Sequence, residues 1–149
     1  MSPLRKLRSA ARLGGSDRRL VAEAIVALVS ARVRSALPFR RLAARMGGMV
    51  APHVPAPALG LDAEAERVVR KIRWAIGAVA PWMPFRALCL QQAIAARMML
   101  TRRGIGSVLH LGVDTSTPTM TAHAWLEAGA LKVTGYPVDP ALIEVARFV

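Results

Sequence analysis

Apolar residues recur in two patterns along this chain. Up to about residue 103 they return every three or four positions, and beyond it they alternate with polar ones. The first spacing marks amphipathic helices and the second half-buried strands. Val21, Ala24, Ile25, Leu28, Val29 and Val33 predict a helix over residues 16–36, with Ser16 as its N-cap. Pro38 stops that helix and can occupy the first turn of a short one over 39–46, which Gly47-Gly48 ends. Residues 51–60 hold three prolines and read as a loop or linker. Asp62 then caps a second long helix whose stripe is Ala65, Val68, Val69, Ile72, Ile76 and Val79. After Pro81 and Pro84, a further helix begins near 85–88 and runs to Arg103, with Gly104 as its stop.

The alternating part predicts strands at 107–113, 121–128 and 130–134, the last two joined by a tight turn at Ala128-Gly129. Helices first and a small antiparallel sheet afterwards is an α+β order. The chain divides into a basic helical segment (1–50, opening on an arm over 1–15), a Pro-rich linker (51–61) and a core (62–149). No internal repeat or low-complexity segment interrupts this.

Composition narrows the picture. Apolar residues make up 54% and aromatics only 5%, so the core must be built from Ala, Leu, Val and Met. A chain of 149 residues suffices for one domain with a real core. The Arg and Ala richness points to a bacterial source. One cysteine cannot form an internal disulfide, which suits a reducing cytoplasm. No signal peptide or bilayer-spanning run is read; residues 20–29 are apolar but short, and carry Glu23. The net charge of +12 is uneven: +9 in residues 1–50, +3 in 51–100 and 0 in 101–149. The charge is thus remote from the candidate chemistry. It is either a solvated arginine-rich face or a contact for an acidic protein or an anionic membrane surface. Its arginines interleave with aliphatic positions, and Phe39 is the one aromatic in that segment, so specific nucleic-acid binding is not expected.

The candidate chemistry rests on Cys89, at the start of a helix, and His123 on the following sheet. A helix N-terminus favours a thiolate and offers free N–H groups for an oxyanion. A histidine on a nearby strand can act as base. Against this, a lone cysteine in Ala-Leu-Cys-Leu is more often a small buried hydrophobe. His53 lies in the Pro-rich loop and His110 on the first strand, where a structural role is the commoner one. Trp125 shares the parity of His123 and can wall a cleft that receives substrate. One Cys with three scattered His has no zinc-site spacing, and no phosphate loop is present, so no metal or cofactor is expected.

A Cys–His pair normally has an orienting third group. With a turn at Ala128-Gly129, His123 faces Thr134. The third group then lies at Thr134, Gly135 or within 136–139, and Asp139 is the nearest downstream carboxylate. Glu127 is on the same parity but about 13 Å away at strand rise. Asp114 is a further option.

Four stretches carry a resemblance: Cys-Leu-Gln-Gln-Ala at 89–93, Arg-Arg-Gly-Ile at 102–105, Leu-His-Leu-Gly-Val at 109–113 and Ala-His-Ala-Trp-Leu-Glu at 122–127. With Leu37-Pro38-Phe39-Arg40-Arg41 before them and Ala146-Arg147-Phe148 after, they resemble the transglutaminase-like B proteins of lasso-peptide biosynthesis. The Cys–His block alone indicates the broader transglutaminase-like, papain-related superfamily. The resemblance implies a transglutaminase-like cysteine-protease core with Cys89 as nucleophile and His123 as base. It implies a leader peptidase acting on a ribosomally made precursor peptide, before a separate asparagine-synthetase-like cyclase closes the macrolactam. The chain is similar to the split form, whose winged-helix leader-recognition element is a separate protein. The family's usual acidic position near the third strand falls on Thr134 or Gly135 here. Two other readings share these residues: an acyl transferase with an amine acceptor, and a non-catalytic basic binding module.

Overall fold

The computed structural model describes residues 14–116 and 118–149, so most of the expected basic arm lies outside the described residues. Helices α1 (Gly15–Ser35), α2 (Phe39–Arg45), α3 (Ala63–Val79) and α4 (Cys89–Thr101) are joined by strand β1 (Met49–Val50) and a 3₁₀ turn (Ala80–Trp82). Strands β2 (Val108–Asp114), β3 (Thr121–Ala128), β4 (Leu131–Thr134) and β5 (Ile143–Phe148) follow. The five strands form one antiparallel sheet in the order β1-β5-β2-β3-β4. The α+β expectation holds.

Helix α4 is the centre of the molecule. It packs against α1 and α3 on one side and against β3 and β4 on the other. Gln91, Ala93, Ile94, Ala95, Ala96, Met99 and Leu100 are all buried, so the helix is covered around most of its girth. Arg97 fastens its far end: the guanidinium donates to the carbonyls of Ser107 (3.2 Å) and Phe148 (2.6 Å), and burial lowers its pKa. Gly104 follows the helix at φ 67°, a left-handed conformation that spares glycine the Cβ penalty.

Helix α3 behaves as its sequence predicts. Asp62 Oδ1 accepts from Ala65 N at 2.7 Å, a cap that contributes about 1 kcal/mol. Val69, Ile72, Ala75, Ile76 and Val79 are its buried face.

Helix α1 departs from expectation in two ways. Its N-cap is Gly14 and no side chain caps it, so Ser16 has no such role. Its buried face is Leu20, Ala24, Ala27, Leu28 and Ala31, while Ile25, Val29 and Val33 are exposed. Three alanines let α1 approach α4 closely, and the branched residues are left outside. This face shares one apolar cluster with α3, α4 and the sheet.

The strands also differ in detail. β1 and β5 have no counterpart in the strands the sequence predicts. The hairpin turn is Gly129-Ala130 and not Ala128-Gly129: Ala128 pairs with Leu131 and Glu127 with Lys132. Gly129 takes φ 55° there. A bulge then puts Leu126, and not His123, opposite Thr134. The last helix starts at Cys89, a few residues later than expected.

Candidate active site

Cys89 is the first residue of α4 and is half-buried. The preceding segment is held by the two glutamines that follow it. Gln91 Oε1 accepts from Leu88 N at 3.2 Å, and Gln92 Nε2 donates to Ala87 O at 2.8 Å. Gln91 Nε2 also donates to Ser35 Oγ on α1 at 3.1 Å, which explains why a glutamine is buried here. The first intrahelical bond of α4 runs from Gln92 N to Leu88 O. The N–H groups of Cys89, Leu90 and Gln91 therefore have no acceptor within the helix, as at any helix start.

His123 is the third residue of β3, the strand against which α4 packs. Alternation along β3 sends Ala124, Leu126 and Ala128 into the core and leaves His123, Trp125 and Glu127 as the other set. His123 Nε2 lies 2.6 Å from the carbonyl oxygen of Gly135. Its ring stacks on Trp125 with centroids 6.2 Å apart and planes 20° apart. The other face of Trp125 is covered by His110, at 5.2 Å and 1°. Trp125 thus sits between two imidazoles and is almost wholly buried. Gly112, opposite His123 on β2, makes room for the indole: a Cβ there would lie 2.9 Å from Trp125 Cζ3. Gly112→Val should overpack this stack and cost about 1–3 kcal/mol, read as a lowered urea midpoint with a changed tryptophan emission. An unchanged midpoint would count against the packing described.

A polar network backs the stack. His110 Nδ1 is 2.5 Å from Glu144 Oε1 on β5, and Arg147 holds Glu144 with two bonds of 2.8 and 2.7 Å. His110 Nε2 is 3.6 Å from Glu127 Oε2, too far for a hydrogen bond. Tyr136 Oη donates to Glu127 Oε1. Burial, with the Glu127 carboxylate as acceptor, raises the Tyr136 pKa, so the phenol stays protonated. For Glu144, burial pushes the carboxyl up, but the hydrogen bonds and charges of Arg147 and His110 outweigh it and hold it below the ordinary value.

A depressed carboxyl pKa has a definite sign in stability. The contribution of Glu144 is complete above the ordinary carboxyl value near 4.5 and is lost as pH falls through its lower folded value. Glu144→Gln should therefore flatten the loss of stability on acidification below about pH 4.5, as read in urea titrations at stepped pH. An identical acid limb in the variant would remove this assignment.

The remaining sequence candidates sit elsewhere. Asp139 is exposed and accepts from Ala141 N in its own turn at 2.9 Å. Asp114 does the same for Ser116 N at 2.7 Å. Glu127 is taken by Tyr136. His53 is exposed in the Pro-rich loop. Sequence reasoning includes Gly135 among the positions for the third group but not the role of its carbonyl, and it misses the Glu144–Arg147 pair. A lone glycine at the end of β4 was the one sign of the former. The opposite charges three apart in an otherwise aliphatic segment were the sign of the latter. No group of three or more metal-ligating side chains occurs among the described residues, and no helix there is long and apolar enough to cross a membrane.

Comparison with curated proteins and with solved structures gives no match. The family model described as the transglutaminase-like superfamily matches residues 33–145, a span that takes in Cys89, His123, Trp125 and Gly135. A cysteine opening the central helix and a histidine on the sheet it packs against, within a match of that extent, place the chain in the transglutaminase-like superfamily.

Proposed function

We propose that this protein is a cysteine peptidase that removes the leader from a ribosomally made lasso-peptide precursor. The observation that supports this most is that the elements carrying the thiol and the histidine pack together, with His123 on the face of β3 turned away from the core and no hydrogen bond between it and Cys89. The first residue of the buried central helix is the chain's one thiol, and the strand packed on that helix carries a histidine with one ring nitrogen already engaged. The resemblance of the full motif set, with 37–41, 102–105, 109–113 and 146–148 beside the Cys–His block, supports this substrate class within the superfamily.

In this mechanism Cys89 Sγ attacks the leader–core carbonyl as His123 Nδ1 takes the thiol proton. The first-turn N–H groups of α4 receive the oxyanion. His123 passes the proton to the departing core amine as the C–N bond breaks, leaving the leader as a thioester. Water, deprotonated by His123, then opens the thioester to give a free leader acid and the thiol. An amine in place of that water would give an amide adduct, which is the acyl-transferase outcome.

The sheet supports dependence on a separate leader-recognition protein. Its edge strands are β1, with two residues, and β4, with four. Capture of an extended leader by strand addition has little edge to use. A winged-helix partner that holds the leader would raise the local concentration of the scissile bond. Partner addition should therefore speed cleavage at low precursor concentration and matter less toward saturation, in a titration followed by mass spectrometry. Equal rates with and without it at every concentration would contradict this dependence. The core amine released is the nucleophile that an asparagine-synthetase-like cyclase needs. The apolar and basic outer face of α1 is where a partner or an anionic membrane surface would dock, and cytoplasmic maturation is the setting this reaction implies.

A further inference from the structure

We infer that the backbone carbonyl of Gly135, and not a carboxylate, is the group that orients His123. This deepens the peptidase reading and rests on it for its catalytic meaning, but its geometry stands by itself. A carbonyl oxygen can only accept. At 2.6 Å from it, His123 Nε2 carries the proton, and Nδ1 of the neutral ring is left with the lone pair that a base needs.

Three further observations support the assignment. Gly135 takes φ 80°, and a Cβ there would collide with the Ala124 carbonyl and lie 2.8 Å from Trp125 Cα. Only glycine lets the chain run this close to β3, so the carbonyl is aimed by the backbone path. Trp125 covers one face of the imidazole and restrains its rotation. The candidate carboxylates have other partners: Asp139 and Asp114 in their own turns, Glu127 with Tyr136, and Glu144 with Arg147 and His110.

A carbonyl fixes the tautomer and the ring plane as a carboxylate would. It brings a dipole in place of a full negative charge. Gly135 is then a positioning residue, acting through His123.

The test is long-range ¹H–¹⁵N NMR of the histidine side chains, which reads the tautomer independently of any activity. Wild-type protein should show His123 as the Nε2–H tautomer, with a slowly exchanging, downfield Nε2 proton. Asp139→Asn keeps the acceptor for Ala141 N and removes the charge, and it should leave that resonance unchanged. Gly135→Ala should lose it, while His110 keeps its own pattern. A wild-type His123 in the Nδ1–H tautomer, or with a freely exchanging Nε2 proton, would overturn the inference. So would loss of the signal in Asp139→Asn. The wild-type and Asp139→Asn spectra decide the matter even if Gly135→Ala does not fold. Retention of the tautomer in a protein that cleaves nothing would sink the peptidase reading and leave the hydrogen bond standing.

Discussion

Cys89→Ala is expected to reduce precursor cleavage by at least about a thousandfold, the scale seen when a catalytic nucleophile is deleted. The fold should survive the change. Cys89 is half-buried at the first turn of α4, and the segment before it is held by Gln91 and Gln92, whose bonds the substitution leaves alone. The stability change should stay within about 1 kcal/mol, because a single small atom is removed from a partly open position. The chain has one cysteine, so alkylation of the wild type reports on this thiol alone. Wild-type levels of cleavage by the alanine variant, with its fold intact, would remove Cys89 from the mechanism.

His123→Ala is expected to lower turnover by about 10²–10⁴-fold, the usual range for losing a general acid–base group. Two losses combine: the thiol loses its base and the leaving amine its acid. The substitution also strips Trp125 of one stacked imidazole and frees the Gly135 carbonyl, so a modest drop in the urea midpoint should accompany it. The diagnostic reading is the rate of Cys89 alkylation near neutral pH. It should fall with His123→Ala, because the thiol loses its base. An alkylation rate and turnover within a few-fold of wild type would mean that His123 and Cys89 do not act together.

Much of this architecture could be read from residue patterns, and the failures have physical causes. α3 was legible because Asp62, its apolar stripe and the following prolines all agree. β3 was legible end to end, since its alternation and the following glycine coincide. Both faces of α1 are apolar, so the pattern finds the helix and Ala24 and Leu28 of its buried face but also takes in the exposed Ile25, Val29 and Val33. Leu20, Ala24, Ala27, Leu28 and Ala31 are chosen for close packing, and hydrophobicity alone prefers Ile25, Val29 and Val33. β5 was missed because Glu144 and Arg147 look like solvent residues, whereas the structure spends them on His110 and on each other. β1 is two residues long and gives no periodic signal.

The candidate site divides in the same way. Cys89 and His123 stood out by residue type and by the elements predicted to carry them. The partner of His123 did not. A one-residue error in the hairpin turn, together with the bulge between Leu126 and Glu127, separates the expected pairing of Thr134 with His123 from the observed one with Leu126. The hydrogen bond is made by a main-chain carbonyl, which every residue carries, so no side chain announced it. Asp139, the nearest downstream carboxylate in the sequence, caps its own turn instead.

The central claim is tested most directly by mass spectrometry of the products. Wild-type protein and Cys89→Ala would each be mixed with precursor and the leader-recognition protein, with no cyclase present. The account predicts a free leader acid and a core peptide with a free α-amine from the wild type, and intact precursor from the variant. A leader–amine adduct in place of the acid, an intact precursor in both reactions, or cleavage by the variant would contradict it.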